Sequence, residues 1–153
     1  MSKSIRRVQT AAESAGLAID VKTMPDSTRT AQDAATACGC EVGQITKSLV
    51  FEGIDSGELK LLLVSGQNQV DLDAAAKTIG EPLQRANPKD VRSKTSFAIG
   101  GIPPFGHTCP LDTWIDSHLL NYETIWAAAG TPNAVFSVDP QALKKITGAR
   151  LFM

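Results

Sequence analysis

Two apolar runs, Ile45 to Gly53 (ITKSLVFEG) and Leu59 to Gln67 (LKLLLVSGQ), flank the short segment Ile54 to Glu58 (IDSGE). Runs of this length, rich in Leu, Val and Ile and parted by Asp55-Ser56-Gly57, read as two strands joined by a tight turn. A hairpin at the middle of the chain demands antiparallel pairing, and everything else has to be arranged around it. Ile5, Val8, Ala12 and Ala15 fall at helical spacing before Gly16, and Leu17 to Met24 alternates like a strand. Thr30-x-x-Asp33 resembles a capping box ahead of a helix stopped by Gly39. Asp71 and Gly80 bracket another helix, and Asn87-Pro88 opens a third, through about Lys94. Thr113–Asp116, Thr124–Gly130 and Ala134–Val138 are strand-like, Asp139-Pro140 starts a last helix ending near Gly148, and Ala149–Met153 reads as a terminal strand.

Helices and strands are interspersed, but hairpin-linked strands outnumber βαβ crossovers. The expected fold is α/β of the α+β type, a mixed, mostly antiparallel sheet or partial barrel surrounded by helices. With 153 residues, 42% of them hydrophobic, the chain suits a single domain, 1–153, with a real core. No run approaches the ~18 apolar residues of a membrane span. The N-terminus reads as an amphipathic helix rather than a secretion signal, so a soluble, cytoplasmic protein is expected.

Fifteen Lys and Arg against sixteen Asp and Glu give a net charge of −1. That excludes a protein that coats nucleic acid through bulk charge, while leaving room for a few phosphate contacts. Gln84 to Ser96 concentrates Arg85, Lys89, Arg92 and Lys94 against Asp90 alone, either as a solvated helix face or as a patch for phosphates. Three cysteines suit no disulfide framework. Cys38, Cys40, His107 and Cys109 together offer four soft ligands, but both pairs are one residue tighter than usual zinc knuckles, and buried or incidental thiols are the better reading. No metal or cofactor is expected.

Gly100-Gly101-Ile102-Pro103-Pro104-Phe105-Gly106-His107 is too apolar for an ordinary solvated turn. Paired glycines allow close approach to the backbone, and the prolines stiffen the loop. Such a loop can hold main-chain N–H donors toward a carbonyl oxygen acquiring charge; it equally fits a tight turn with Phe105 in the core. Lys47 shares a strand face with Ile45 and Leu49. It either snorkels to solvent or enters a cavity, where it would partner a phosphate or a polarised carbonyl. No nucleophile elbow, phosphate-binding glycine motif or paired carboxylates accompany them.

Four stretches in this order are similar to the YbaK/prolyl-tRNA synthetase-associated domain family: Gln44–Phe51, Gly100–Gly106, Thr113–Asp116 and Ala128–Asn133. The resemblance covers nearly the whole chain. It implies trans-editing, the hydrolysis of the ester between a wrong small amino acid and the 3′ end of a tRNA, tRNA(Pro) first among candidates. It assigns catalysis to Lys47, Gly100 and Gly101. It places Thr30, Ile102, Pro104, Phe105, Gly106, His107, Asp116, Ala129, Gly130 and Thr131 around the substrate, with Arg85, Lys89 and Arg92 toward tRNA phosphates. The implied partners are the acceptor end of a mischarged tRNA and an aminoacyl-tRNA synthetase, with the protein itself a monomer or weak homodimer. Ala128 stands where some members carry serine, and Thr131 where alanine-specific members carry histidine, so neither of those roles transfers. The competing reading is a non-catalytic tRNA- or synthetase-binding module of the same fold.

Overall fold

Every residue from Leu59 to Ser65 is buried, and the sheet is built outward from this strand. The computed structural model describes residues 2–25, 28 and 30–153. In chain order the elements are α1 (Lys3–Ser14), β1 (Lys22–Thr23), α2 (Ala31–Cys38), β2 (Thr46–Gly53), β3 (Leu59–Ser65), α3 (Leu72–Ile79), β4 (Leu83–Arg85), α4 (Pro88–Thr95), β5 (Asp112–Ile115), β6 (Ile125–Ala128), β7 (Ala134–Val138), α5 (Pro140–Thr147) and β8 (Arg150–Leu151).

The predicted hairpin is β2–β3, in register from Thr46 opposite Ser65 to Glu52 opposite Leu59. It forms the middle of a five-stranded sheet ordered β4-β2-β3-β5-β8, while β1-β7-β6 make a second, smaller sheet. Four strand pairs are antiparallel; β3–β5 and β5–β8 are parallel. The mixed, mostly antiparallel expectation therefore holds. The two sheets touch through a parallel bridge between Ile45 and Trp126 and do not close into a barrel.

Both faces of β3 are covered, which is why its sequence is a continuous apolar run rather than an alternating one. Leu61 and Leu63 join Ile115, Phe136, and Ile5, Val8 and Ala12 of α1 in one cluster. Leu62 and Val64 join Trp114, Phe152 and Ala75 of α3 on the opposite face. The helix starts are side-chain capped as predicted: Thr30, Asp71, Asn87 and Asp139 each accept from a backbone N–H in the first turn.

The differences lie in the short elements. The alternating stretch from Leu17 shrinks to Lys22–Thr23, the only part that pairs, with β7. Leu83–Arg85 pairs with Phe51, Glu52 and Gly53 of β2, and two short 3₁₀ turns occupy Val42–Gln44 and Ser117–Asn121. Because β4 reaches only as far as Phe51, no described strand pairs with Thr46–Val50 on that edge of β2.

The burial pattern makes a stability prediction. Leu63→Ala removes a fully buried side chain and should cost about 2–5 kcal/mol. Ile54→Ala, at the exposed hairpin turn, should stay within about 0.5 kcal/mol of wild type. Urea unfolding of both variants checks the contrast.

Candidate active site

Along that free edge of β2 lies a cavity of about 240 Å³. Its wall includes Thr46, Lys47 and Ser48 from β2, Thr30 and Ala31 from the start of α2, Gly100 and Ile102 from the glycine-proline loop, and Ala128 from the end of β6. The lysine and the loop, more than fifty residues apart in the chain, thus face one space.

Lys47 is half-buried rather than snorkelled, and its Nζ donates to the main-chain carbonyl of Asn68. Burial lowers its pKa below the ordinary 10.5, while the Asp116 carboxylate works the other way. Asp116 itself is 2% exposed. Its Oδ2 accepts from the Ser65 N–H at 3.1 Å and from Asn68 Nδ2 at 2.9 Å, and its Oδ1 accepts from the His118 N–H at 2.9 Å. Asp116 therefore holds the residue that holds Lys47. Asn68 was not singled out by sequence reasoning; a polar residue just after an apolar strand carries no signal beyond a turn.

The hydroxyls of Thr46 and Ser48 are buried without a hydrogen-bond partner among the described residues. An unsatisfied buried hydroxyl costs about 1–3 kcal/mol, so both are available to a ligand in this cavity. They too went unread in the sequence.

The loop is fixed from several sides. Phe105 is buried and packs on Phe136, ring centroids 5.5 Å apart. His107 Nε2 donates to the Pro103 carbonyl at 2.8 Å, and its ring meets Phe97 edge-on. Gly101 lies so close to Thr131 that a Cβ would come within 2.8 Å of its backbone. Gly130, at φ +103°, meets the Ser4 backbone of α1 in the same fashion. The Gly101 N–H donates to the Ala98 carbonyl at 3.2 Å, so this amide is turned into the loop. Among the described residues the N–H groups of Gly100 and Ile102 have no protein acceptor.

Of the sequence-derived site residues, Lys47, Thr30, Gly100 and Ile102 line the cavity. Gly101, Phe105, Gly106, His107, Ala129, Gly130 and Thr131 shape the loop or its support from behind. Pro104 is buried within the loop, and Asp116 acts through Asn68. Arg85 sits on β4, and Lys89 and Arg92 are exposed on α4. Cys38 and Cys40 lie at the end of α2, and burial drives the Cys38 thiol up to about 11. Cys109 is exposed. Among the described residues no three His, Cys, Asp or Glu side chains gather as a metal site, so the four-ligand zinc grouping does not assemble.

A small cavity at a sheet edge, a half-buried lysine and a braced main-chain loop agree with what comparison with known proteins finds. The chain belongs to the aminoacyl-tRNA editing domain family, whose model matches residues 25–146. It is 51% identical to a crystal structure of a proposed trans-editing enzyme for prolyl-tRNA synthetase, covering 99% of this chain and 96% of that one with a TM-score of 0.92. It is 26% identical over 134 residues to YwhH of Bacillus subtilis, a protein without an assigned function (88% of this chain, 85% of that protein). It is also 26% identical over 121 residues to EbsC of Enterococcus faecalis, a candidate Cys-tRNA(Pro)/Cys-tRNA(Cys) deacylase (78% of this chain, 73% of that protein). No described helix is long and apolar enough to cross a membrane.

The buried histidine makes a pH prediction. Burial lowers the His107 pKa below its ordinary 6.5, with the Pro103 bond opposing in part. The unfolded chain then takes up a proton before the folded one does. Stability should fall as pH drops below about 6.5 and continue falling until the folded-state pKa is passed. His107→Gln should remove this component, seen as a shallower pH dependence of the urea midpoint between pH 7 and 5.

Proposed function

We propose that this protein is an aminoacyl-tRNA deacylase that removes a small, wrongly attached amino acid from a tRNA, with tRNA(Pro) the leading substrate. The observation that carries the reading is the convergence of Lys47 and the Gly100–Ile102 loop on one small cavity in a member of the editing family. The names of two relatives, which point to prolyl-tRNA synthetase and to Cys-tRNA(Pro), support the choice of tRNA.

The reaction needs little more than positioning. Water attacks the ester carbonyl carbon, negative charge collects on the carbonyl oxygen, and the bond to the ribose oxygen breaks. The proton lost by water ends on that ribose oxygen, leaving a free amino acid and an uncharged tRNA. The free N–H groups of Gly100 and Ile102 are the main-chain donors suited to the developing oxyanion, and rigid donors cost no reorganisation at that moment. Gly101 serves the same end by letting the loop rest directly on Thr131. No histidine, cysteine or carboxylate lines the cavity, so these residues work by placement and charge rather than through a covalent intermediate. Lys47, tied to Asn68 on one side, offers its charge to the acceptor-end phosphate or the carbonyl.

A small cavity also suits the task. A synthetase gains only ~1–3 kcal/mol of discrimination per methylene, so small intruders need a second sieve. Ala31 and Ala128 keep the space clear for a short side chain. Arg85, Lys89 and Arg92 are the cations placed for tRNA phosphates, and a synthetase bound to the same tRNA is the natural further partner.

The central test is hydrolysis of a panel of mischarged tRNAs. Lys47→Ala should lower kcat/KM by at least about 10²-fold while the protein stays folded. Wild-type activity, corrected for spontaneous hydrolysis, should decline as pH rises through a lysine pKa below 10.5, and Lys47→Arg should abolish that decline. Full activity in Lys47→Ala removes the lysine from the mechanism. Tight tRNA binding without hydrolysis of any substrate replaces the enzyme with a binding module.

Charge reversal tests the tRNA contact. Lys89→Glu with Arg92→Glu should raise KM and flatten its dependence on salt, leaving kcat nearly unchanged. An unaltered KM moves the phosphate contacts elsewhere.

A further inference from the structure

The cavity beside Lys47 continues into a second, larger groove of about 410 Å³. The two share Ser48, Leu49, Ile99 and Ile102 as common wall. Beyond that wall the groove is lined by Phe51, Pro88 and Arg85. Nothing in the chemistry of ester cleavage at the first cavity requires this extension.

Its composition is specific. The lining is apolar except for one fixed cation, the guanidinium of Arg85, and Arg85 is the direct cross-strand partner of Phe51. Cross-strand partners stand side by side on one face of a sheet, which puts a cation next to an aromatic ring. Ile99, on the divide between the two spaces, is 56% exposed, the most of any large hydrophobic side chain among the described residues. A stretch of the β2 edge, Ser48 to Val50, borders the groove with no described strand pairing there. Apolar surfaces that clasp a flat ring, with a cation beside them for an attached anion, are how proteins hold a nucleotide within single-stranded nucleic acid.

We propose that this groove is the subsite for the 3′-terminal adenosine of the substrate, its base against Ile99, Pro88 and Phe51 and its 5′-phosphate paired with Arg85. Choice of occupant follows from continuity. If the acyl half of the ester lies beside Lys47, the alcohol half leaves through the open wall, and the alcohol half is that adenosine. The identification of the nucleoside rests on the deacylase reading, whereas the affinity of the groove for a nucleotide does not require hydrolysis.

The test uses adenosine 5′-monophosphate as the probe of the terminal nucleotide, with isotope-labelled full-length protein observed by NMR. Millimolar adenosine 5′-monophosphate should shift the amides of Ser48–Phe51, Ala86 and Ile99. Arg85→Ala should weaken this nucleotide several-fold and leave adenosine unaffected, and Ile99→Ser should weaken both. With aminoacylated tRNA, each variant should raise KM about ten-fold at a nearly unchanged kcat. Both positions are at the surface, and native spectra of the variants establish that they fold. Nucleotide binding at the groove without hydrolysis of any aminoacyl-tRNA keeps the subsite and sinks the deacylase. Hydrolysis with unaltered KM in both variants keeps the deacylase and sinks the subsite. Shifts confined to another surface, or none at all, also overturn it.

Discussion

The buried carboxylate of Asp116 is the point through which the site is tied to the sheet. One side chain accepts from the end of β3 at Ser65, from the Asn68 amide beyond it, and from the His118 amide after β5. Hydrogen bonds to a charged group contribute about 1.5–3 kcal/mol each, and a buried carboxylate missing them would be costly. Together they hold the segment whose carbonyl receives Lys47. The cation next to the cavity is therefore placed by a chain of contacts that begins inside the five-stranded sheet, and its partner is a neutral carbonyl rather than a carboxylate. A direct ion pair would offset the charge that the site is arranged to present.

The opposite wall is held by backbone rather than charge. Gly101 rests on the Thr131 main chain, and Gly130 on the start of α1. Phe105 anchors the loop in the larger core cluster, and His107 folds back onto Pro103. Main-chain contacts of this kind have no long side chain to relax, so a displacement at one is transmitted to the next. A loop held in this way keeps its two unengaged amides in fixed directions without a ligand present, the condition under which such donors are most effective.

Much of this was legible in the chain itself. The hairpin, the four capped helix starts and the mixed sheet follow from local rules, because turn chemistry, caps and periodicity act over a few residues. Lys47 and the glycine-proline loop could be singled out as well, since a lysine in an apolar strand and an apolar loop of breakers both violate local expectation. Leu83–Arg85 could not, because three residues carry no period and become a strand only by finding the end of β2. Asn68, Thr46 and Ser48 were equally silent: a polar residue gains meaning only from what fails to pair with it.

The sequence by itself determined which elements form and which residues break the local pattern, because those depend on neighbours a few positions away. Tertiary structure alone decided that β4 stops short and leaves an edge of β2 open, that Gly101 turns its amide inward while Gly100 and Ile102 keep theirs free, and that Asp116 reaches Lys47 only through Asn68. Each of these is a contact between segments far apart in the chain, set by how sheets and loops fill space together, and no local propensity encodes it.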